Sequence, residues 1–203
     1  KEKHAELLAA AGCHTVSFGV ETGNELLRFN ILKKKITNQH LFDCASVLKK
    51  HNIELQTSNM FCLPNETIED AISTIDLNIK MGTNYMFTAI FLPFPKTELA
   101  NYCIEKGFLS KDYSFEDMPE SFVRESVLHI KDKDILCDIH KIAHLCLMYP
   151  RLKPFFIFLV QHLRSRSLFF GFYLIGTFLR YKHERKLTYI QTLKYLWTYR
   201  KGY

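Results

Sequence analysis

Residues 53–82 read IELQTSNMF, CLPNET, IEDAISTIDLNIKM and G, and this stretch decides the fold. Ile53 to Phe61 is a short apolar run, Leu63–Pro64–Asn65–Glu66 a loop, Ile68 to Met81 a helical stretch, and Gly82 a stop signal. The same order occurs on both sides. Upstream, a helix around Ala5 to Ala11, which Gly12 can terminate, enters the run Thr15 to Val20. The loop Glu21–Thr22–Gly23–Asn24 follows, then a helical stretch reaching His51 with a break near Lys35. Downstream, Tyr85 to Leu92 is followed by Pro93–Phe94–Pro95–Lys96–Thr97 and a helix to Lys106, stopped by Gly107.

Strands recurring after roughly 30 residues, each separated by a helix, imply right-handed crossovers and a parallel sheet. In such sheets the chemistry collects on the loops leaving the C-terminal strand ends. Three strands cannot close a barrel that takes about eight, so something else must cover the sheet edge. The chain opens on Lys1 in what reads as the middle of a helix, so it reads as a piece of something longer whose upstream part supplies that cover.

With 47% hydrophobic residues in 203, the chain has enough apolar material for a core and is not a disordered segment. Its net charge of +6 is unevenly spread: residues 151–203 hold eleven Lys or Arg and one acidic residue, Glu184. That basic stretch is dense in Phe and Tyr, which suits an anionic partner with an apolar side, such as a membrane surface. Neither Pro154 to Val160 nor Leu168 to Leu179 reaches the roughly 20 apolar residues that span a bilayer. The six cysteines, at 13, 44, 62, 103, 137 and 146, contain no CxxC, which points to free thiols and a reducing cytoplasm.

Each strand-end loop has a chemical and a bland reading. In the first, the Glu21 carboxylate between Gly19 and Gly23 can accept hydrogen bonds from sugar hydroxyls, or can cap the following short helix. In the second, Met60, Phe61 and Cys62 can pack on a flat aromatic ring, with Pro64 turning the chain and Glu66 facing the positive end of the next helix. A Pro-containing turn with acidic capping accounts for most of the same residues. In the third, Pro93 and Pro95 stiffen the backbone around an aromatic residue, and Thr97 can cap the next helix.

Taken as an ordered set, GVETGN, ILKKKIT, NMFCLPNETIEDA and FLPFPKTELANYCIEKG resemble the radical S-adenosylmethionine (SAM) superfamily. The resemblance covers about residues 4–110 and is strongest to the subclass that often carries an N-terminal cobalamin-binding domain. It implies an α/β fold in which residues 1–110 are the C-terminal half of a partial (β/α)6 barrel, three parallel βα units. Residues 111–131 would then be an irregular connection and 132–203 a basic, aromatic-rich helical region. The family's CxxxCxxC loop, which holds a 4Fe–4S cluster, and its glycine-rich methionine-binding motif would both lie upstream. What remains resembles the nucleoside side of the SAM site. Gly19, Glu21 and Gly23 correspond to the ribose region, Lys34 to a basic position facing the SAM carboxylate, and Met60, Phe61 and Cys62 to the strand beside adenine. Pro64 and Glu66 belong to the second loop, and Pro93 and Pro95 to the loop closing that region. Three glycines common in relatives are replaced, by Cys62, Asn65 and Lys96.

In the intact family a reduced cluster cleaves SAM to a 5′-deoxyadenosyl radical, and cobalamin-dependent relatives transfer a methyl group. This chain would contribute the nucleoside side and part of the substrate cavity, inactive alone, with the missing barrel half as its partner. Its catalytic residues and substrate are not legible. The rival reading is a non-catalytic peripheral membrane or interaction module. No nucleic-acid partner is expected, because no binding motif accompanies the charge. Cys137, His140 and His144 share a helix face near Cys146, but a metal site needs three or four converging ligands, so an ordinary packing face is expected there.

Overall fold

The computed structural model describes residues 2–199, so Lys1 and the last four residues of the expected helical region, 200–203, lie outside the described residues. Helix α1 (Glu2–Ala10) leads into strand β1 (Thr15–Glu21), and helices α2 (Glu25–Asn30) and α3 (Asn38–Lys50) carry the chain to β2 (Glu54–Phe61). Helix α4 (Ile68–Met81) then leads to β3 (Tyr85–Ile90), and α5 (Glu98–Glu105) follows. After an irregular connection come α6 (Lys133–Met148), α7 (Lys153–His162), α8 (Arg166–Glu184) and α9 (Tyr189–Tyr199). The three strands form one parallel sheet in the order β1-β2-β3, the α/β arrangement that the repeated strand–loop–helix pattern implies.

Local chemistry starts and stops these elements where the sequence suggested. Thr37 and Thr67 each accept a hydrogen bond from the third helical N–H, and the His40 and Asp70 side chains in turn accept one from the backbone N–H of the capping residue. Such reciprocal caps contribute about 1 kcal/mol each. Gly82 ends α4 in the left-handed conformation, at φ 61°.

Side chains alternate along a strand, so the sheet has two unlike faces. Val20 and Leu55 are buried beneath Leu41, Leu48 and Leu77 of α3 and α4. Phe61, Met86 and Ile90 are buried on the same side against Leu136, Ile139 and Ile142 of α6. Helix α6 is therefore covered on all sides, from Ile135 to Leu147, between the sheet, α4, α7 and α8. The opposite face carries Ser17, Gly19, Gln56, Ser58 and Met60, which stay exposed or half-buried. The connection after α5 lies along the free side of β3, where the Phe122 carbonyl accepts from the Ile90 N–H at 2.7 Å and the Phe122 ring meets Phe87 at 6.1 Å.

Cys62, Asn65 and Lys96, which the resemblance sets at glycine positions, all adopt left-handed backbone, with φ of 62°, 64° and 69°. The turns thus keep the conformation that glycine would adopt without steric cost. Lys96 is exposed and makes no packing contribution that offsets this. Lys96→Gly is therefore expected to raise stability by about 1 kcal/mol in urea unfolding. An unchanged or lower midpoint would show that the turn is unstrained.

Candidate functional site

The loop after β1 carries the most developed polar arrangement. Its strand ends in a bulge: Gly19 pairs with Ser58 and Glu21 with Asn59, leaving Val20 unmatched. Glu21 takes up φ 68°, which turns its carboxylate back over Gly19. Glu21 Oε1 accepts from Lys34 Nζ at 2.9 Å, and the same ammonium donates to the Gly19 carbonyl. A Cβ at position 19 would collide with both charged groups. Gly19, Glu21 and Lys34 form one unit on the open face of the sheet, with about a quarter of each charged side chain accessible, 22% for Glu21 and 28% for Lys34.

Gly23 has a different use. A Cβ there would stand 2.5 Å from the Ser73 backbone, and the Gly23 N–H donates to Thr74 Oγ1 at 2.8 Å. Its small size lets α4 approach the loop rather than a ligand.

The residue that sequence reasoning missed is Arg28. It is fully buried, and its guanidinium donates to the carbonyls of Val20 at 3.0 Å and Ile36 at 2.9 Å, to the Thr22 carbonyl, and to Asn38 Oδ1 at 2.9 Å. Burial pulls its pKa below the ordinary guanidinium value, with Glu25 and Glu21 opposing. Arg28 ties the end of β1 to the segment 31–38, and so positions Lys34. The available signal was a lone basic residue beside Leu27 in a short helix, which only the fold marks as an inward position.

In the second loop the strand's alternation separates the three candidates. Met60 stays half-buried on the open face, whereas Phe61 is buried on the helical side, its ring 5.9 Å from that of His140. Cys62 is buried with its Sγ 3.5 Å from Cys137 Sγ of α6. Pro64 is buried, and Glu66 folds inward to accept the Leu63 N–H at 3.1 Å. Its Oε1 is buried without a hydrogen-bond partner. Desolvation pushes the Glu66 pKa up to about 8, so the group is largely protonated at neutral pH. The N-terminus of α4 is served instead by Thr67 and Asp70.

Pro93 and Pro95 are buried in the third loop, whose Pro93 carbonyl accepts from Tyr113 Oη at 2.9 Å. Phe94 between them is 55% exposed.

On α6, Cys137 turns to Cys62, while the His140 and His144 rings border a cavity of about 10 Å³ with Thr88, Tyr173, Thr177 and Arg180. The Thr88 backbone lies near the His140 ring and the Met86 backbone near that of His144, but neither ring makes a well-formed hydrogen bond among the described residues. Burial lowers their pKa values to about 4 for His140 and about 3 for His144. Among the described residues, the group close enough to share an ion is Glu2, Glu6 and His51, at the surface of α1 and α3, and such exposed acidic groups are common without one.

Residues 1–77 match the family model described as the radical SAM superfamily. Over 109 residues the chain is 34% identical to an uncharacterised methyltransferase of Pyrococcus horikoshii, an alignment covering 53% of this chain and 23% of that protein. The chain therefore spans less than a quarter of the length of this curated relative. The superfamily resemblance read from the strand-end motifs is thus shown over β1, β2 and most of α4.

Proposed function

We propose, starting from the radical SAM match, that residues 1–110 form the nucleoside side of a SAM site, as the last three units of a partial (β/α)6 barrel. On this reading 111–131 is a connection, and 132–203 is a helical region added to the barrel. The observation that carries the proposal is the Glu21–Lys34–Gly19 unit on the open face at the bulged end of β1. A carboxylate in this place can accept from ribose hydroxyls, and an ammonium beside it attracts the SAM carboxylate. Met60 offers an apolar contact for a flat ring on the same face.

The residues suit that half of the site and not the cluster. All six cysteines are free, and the close pair Cys62–Cys137 is buried on the helical side of the sheet. Three converging thiolates, the set that a CxxxCxxC loop supplies to a 4Fe–4S cluster, are not found among the described residues. No step through a cluster is assigned to this chain. The cluster, and cobalamin if the full-length protein uses it, would be held by a longer polypeptide.

When bound, SAM supplies a methyl group or, after reduction, radical chemistry. The roles of this chain's own residues would be to hold the ribose, balance the carboxylate and keep water from the nucleoside. The name of the Pyrococcus relative favours methyl transfer as the reaction class. Nuclear magnetic resonance titration with SAM tests the site: amides of 19–23 and 58–62 are expected to shift, with about tenfold weaker binding in Glu21→Gln. Shifts confined to other parts of the chain, or none, would overturn the assignment.

A further inference from the structure

The outward face of the α8–α9 hairpin takes no part in the proposed SAM site. Ile175 of α8 is 51% exposed, and Ile190 and Leu193 of α9 are 67% and 60% exposed. The two helices' apolar faces join where the Phe178 and Tyr189 rings stack at 6.1 Å. Lys182 Nζ lies 4.6 Å over the Tyr189 ring, and two further lysines are exposed, Lys186 in the turn between the helices and Lys194 next to Leu193 on α9. The sole acidic residue after position 150, Glu184, faces Arg180 at 3.5 Å. An apolar stripe is thereby framed by cations with almost no opposing charge. Among the described residues no helix is long and apolar enough to cross a membrane.

We propose that this hairpin face docks on an anionic lipid bilayer, lying in the headgroup plane rather than spanning it. Charge complementarity selects the occupant. Isolated apolar side chains would suit many partners, but a cation-framed apolar stripe fits a surface that is negative outside and apolar a few ångströms below. Lysine stems lie along the apolar boundary while their ammonium groups reach phosphates and carboxylates. The inference is independent of the SAM reading, since it uses neither the strand-end loops nor α6.

Trp197 is the only tryptophan, and it lies on α9, so its emission reports on this face directly. The full chain is mixed with vesicles of phosphatidylcholine alone, or of phosphatidylcholine with phosphatidylserine. A blue shift and co-sedimentation are expected with the anionic vesicles, with binding about tenfold weaker in Lys186→Glu/Lys194→Glu and at raised salt. Ile190→Asp/Leu193→Asp should abolish the blue shift. Both pairs are surface positions, and circular dichroism verifies that the variants remain folded. Equal binding to neutral vesicles, or none to anionic ones, would overturn the proposal. So would a concentration-dependent dimer, abolished by Ile190→Asp, without vesicle binding, because the face would then belong to a second copy.

Discussion

Arg28→Met is expected to destabilise the chain by about 3–5 kcal/mol, because it removes a buried cation whose acceptors have no other cationic partner. The carbonyls of Val20, Thr22 and Ile36 and the Asn38 side chain all accept from one guanidinium. Methionine fills similar volume but donates nothing, so the buried Thr22 carbonyl and the half-buried Ile36 carbonyl and Asn38 side chain lose this donor, while the Val20 carbonyl keeps only the Thr22 N–H. Arg28→Lys should recover little, since one ammonium cannot serve acceptors spread around a planar fork. Urea unfolding measures the loss. A second readout separates positioning from bulk stability: amides of 31–38 should broaden in the variant under native conditions. A loss below about 1 kcal/mol would show that the loop after β1 is held by its other bonds.

The pH dependence of stability should be dominated by three buried groups. His140 and His144 have folded pKa values of about 4 and about 3, below the ordinary value of 6.5, because burial disfavours the imidazolium. Their unfolded forms take up protons first as pH falls, so stability is lost below 6.5. Between pH 6.5 and 4.5 the two together withdraw about 4–5 kcal/mol. Glu66 has the opposite sign. Its folded pKa of about 8 exceeds the ordinary 4.5, so its contribution is full at low pH and fades as pH rises through 8. Over the same window it returns about 2 kcal/mol, leaving a net loss of about 2 kcal/mol.

The cleaner test reverses the sign. In His140→Phe/His144→Leu the Glu66 contribution remains, with Asp138, whose burial also raises its pKa, acting in the same direction, and stability should rise by at least about 2 kcal/mol on going from pH 6.5 to 4.5. Phenylalanine is suited to position 140, where the imidazole stacks on Tyr173 at 5.6 Å and meets Phe61 edge-on. Should the double variant fold poorly, direct titration of the wild-type imidazoles decides the matter: a midpoint near 6.5 for either ring would refute its desolvation.

Much of this was legible because it is written in short-range rules. The run from Ile53 to Gly82 specifies a strand, a turn and a capped helix from neighbouring residues alone, and α4 spans the residues expected, Ile68–Met81. The left-handed backbone at Asn65 is one that asparagine tolerates better than most residues, whereas that at Lys96 became visible only in the structure. The grouping of Gly19 with Glu21 on a strand end was equally visible, whereas the sequence reading groups Met60, Phe61 and Cys62 on one ring and the strand's alternation divides them between two faces.

Which of those faces is dry was not written locally. Helix α6 arrives from some seventy residues downstream of β2 and covers one side of the sheet, and that burial alone turns Phe61 into core. It also brings Cys62 to Cys137 across 75 positions, in place of a helix-face cluster of Cys137 with its histidines. Glu66 looks like a helix-capping carboxylate in sequence, yet Thr67 and Asp70 cap the helix while Glu66 is driven inward and held protonated. Arg28 likewise becomes the organiser of the first loop only when β1, α2 and the segment before α3 close around it. The sequence by itself determined the elements, their order and the charge of the tail, since these depend on neighbours a few residues apart. The tertiary structure decided which polar groups lose water, because desolvation depends on which distant segment packs against them.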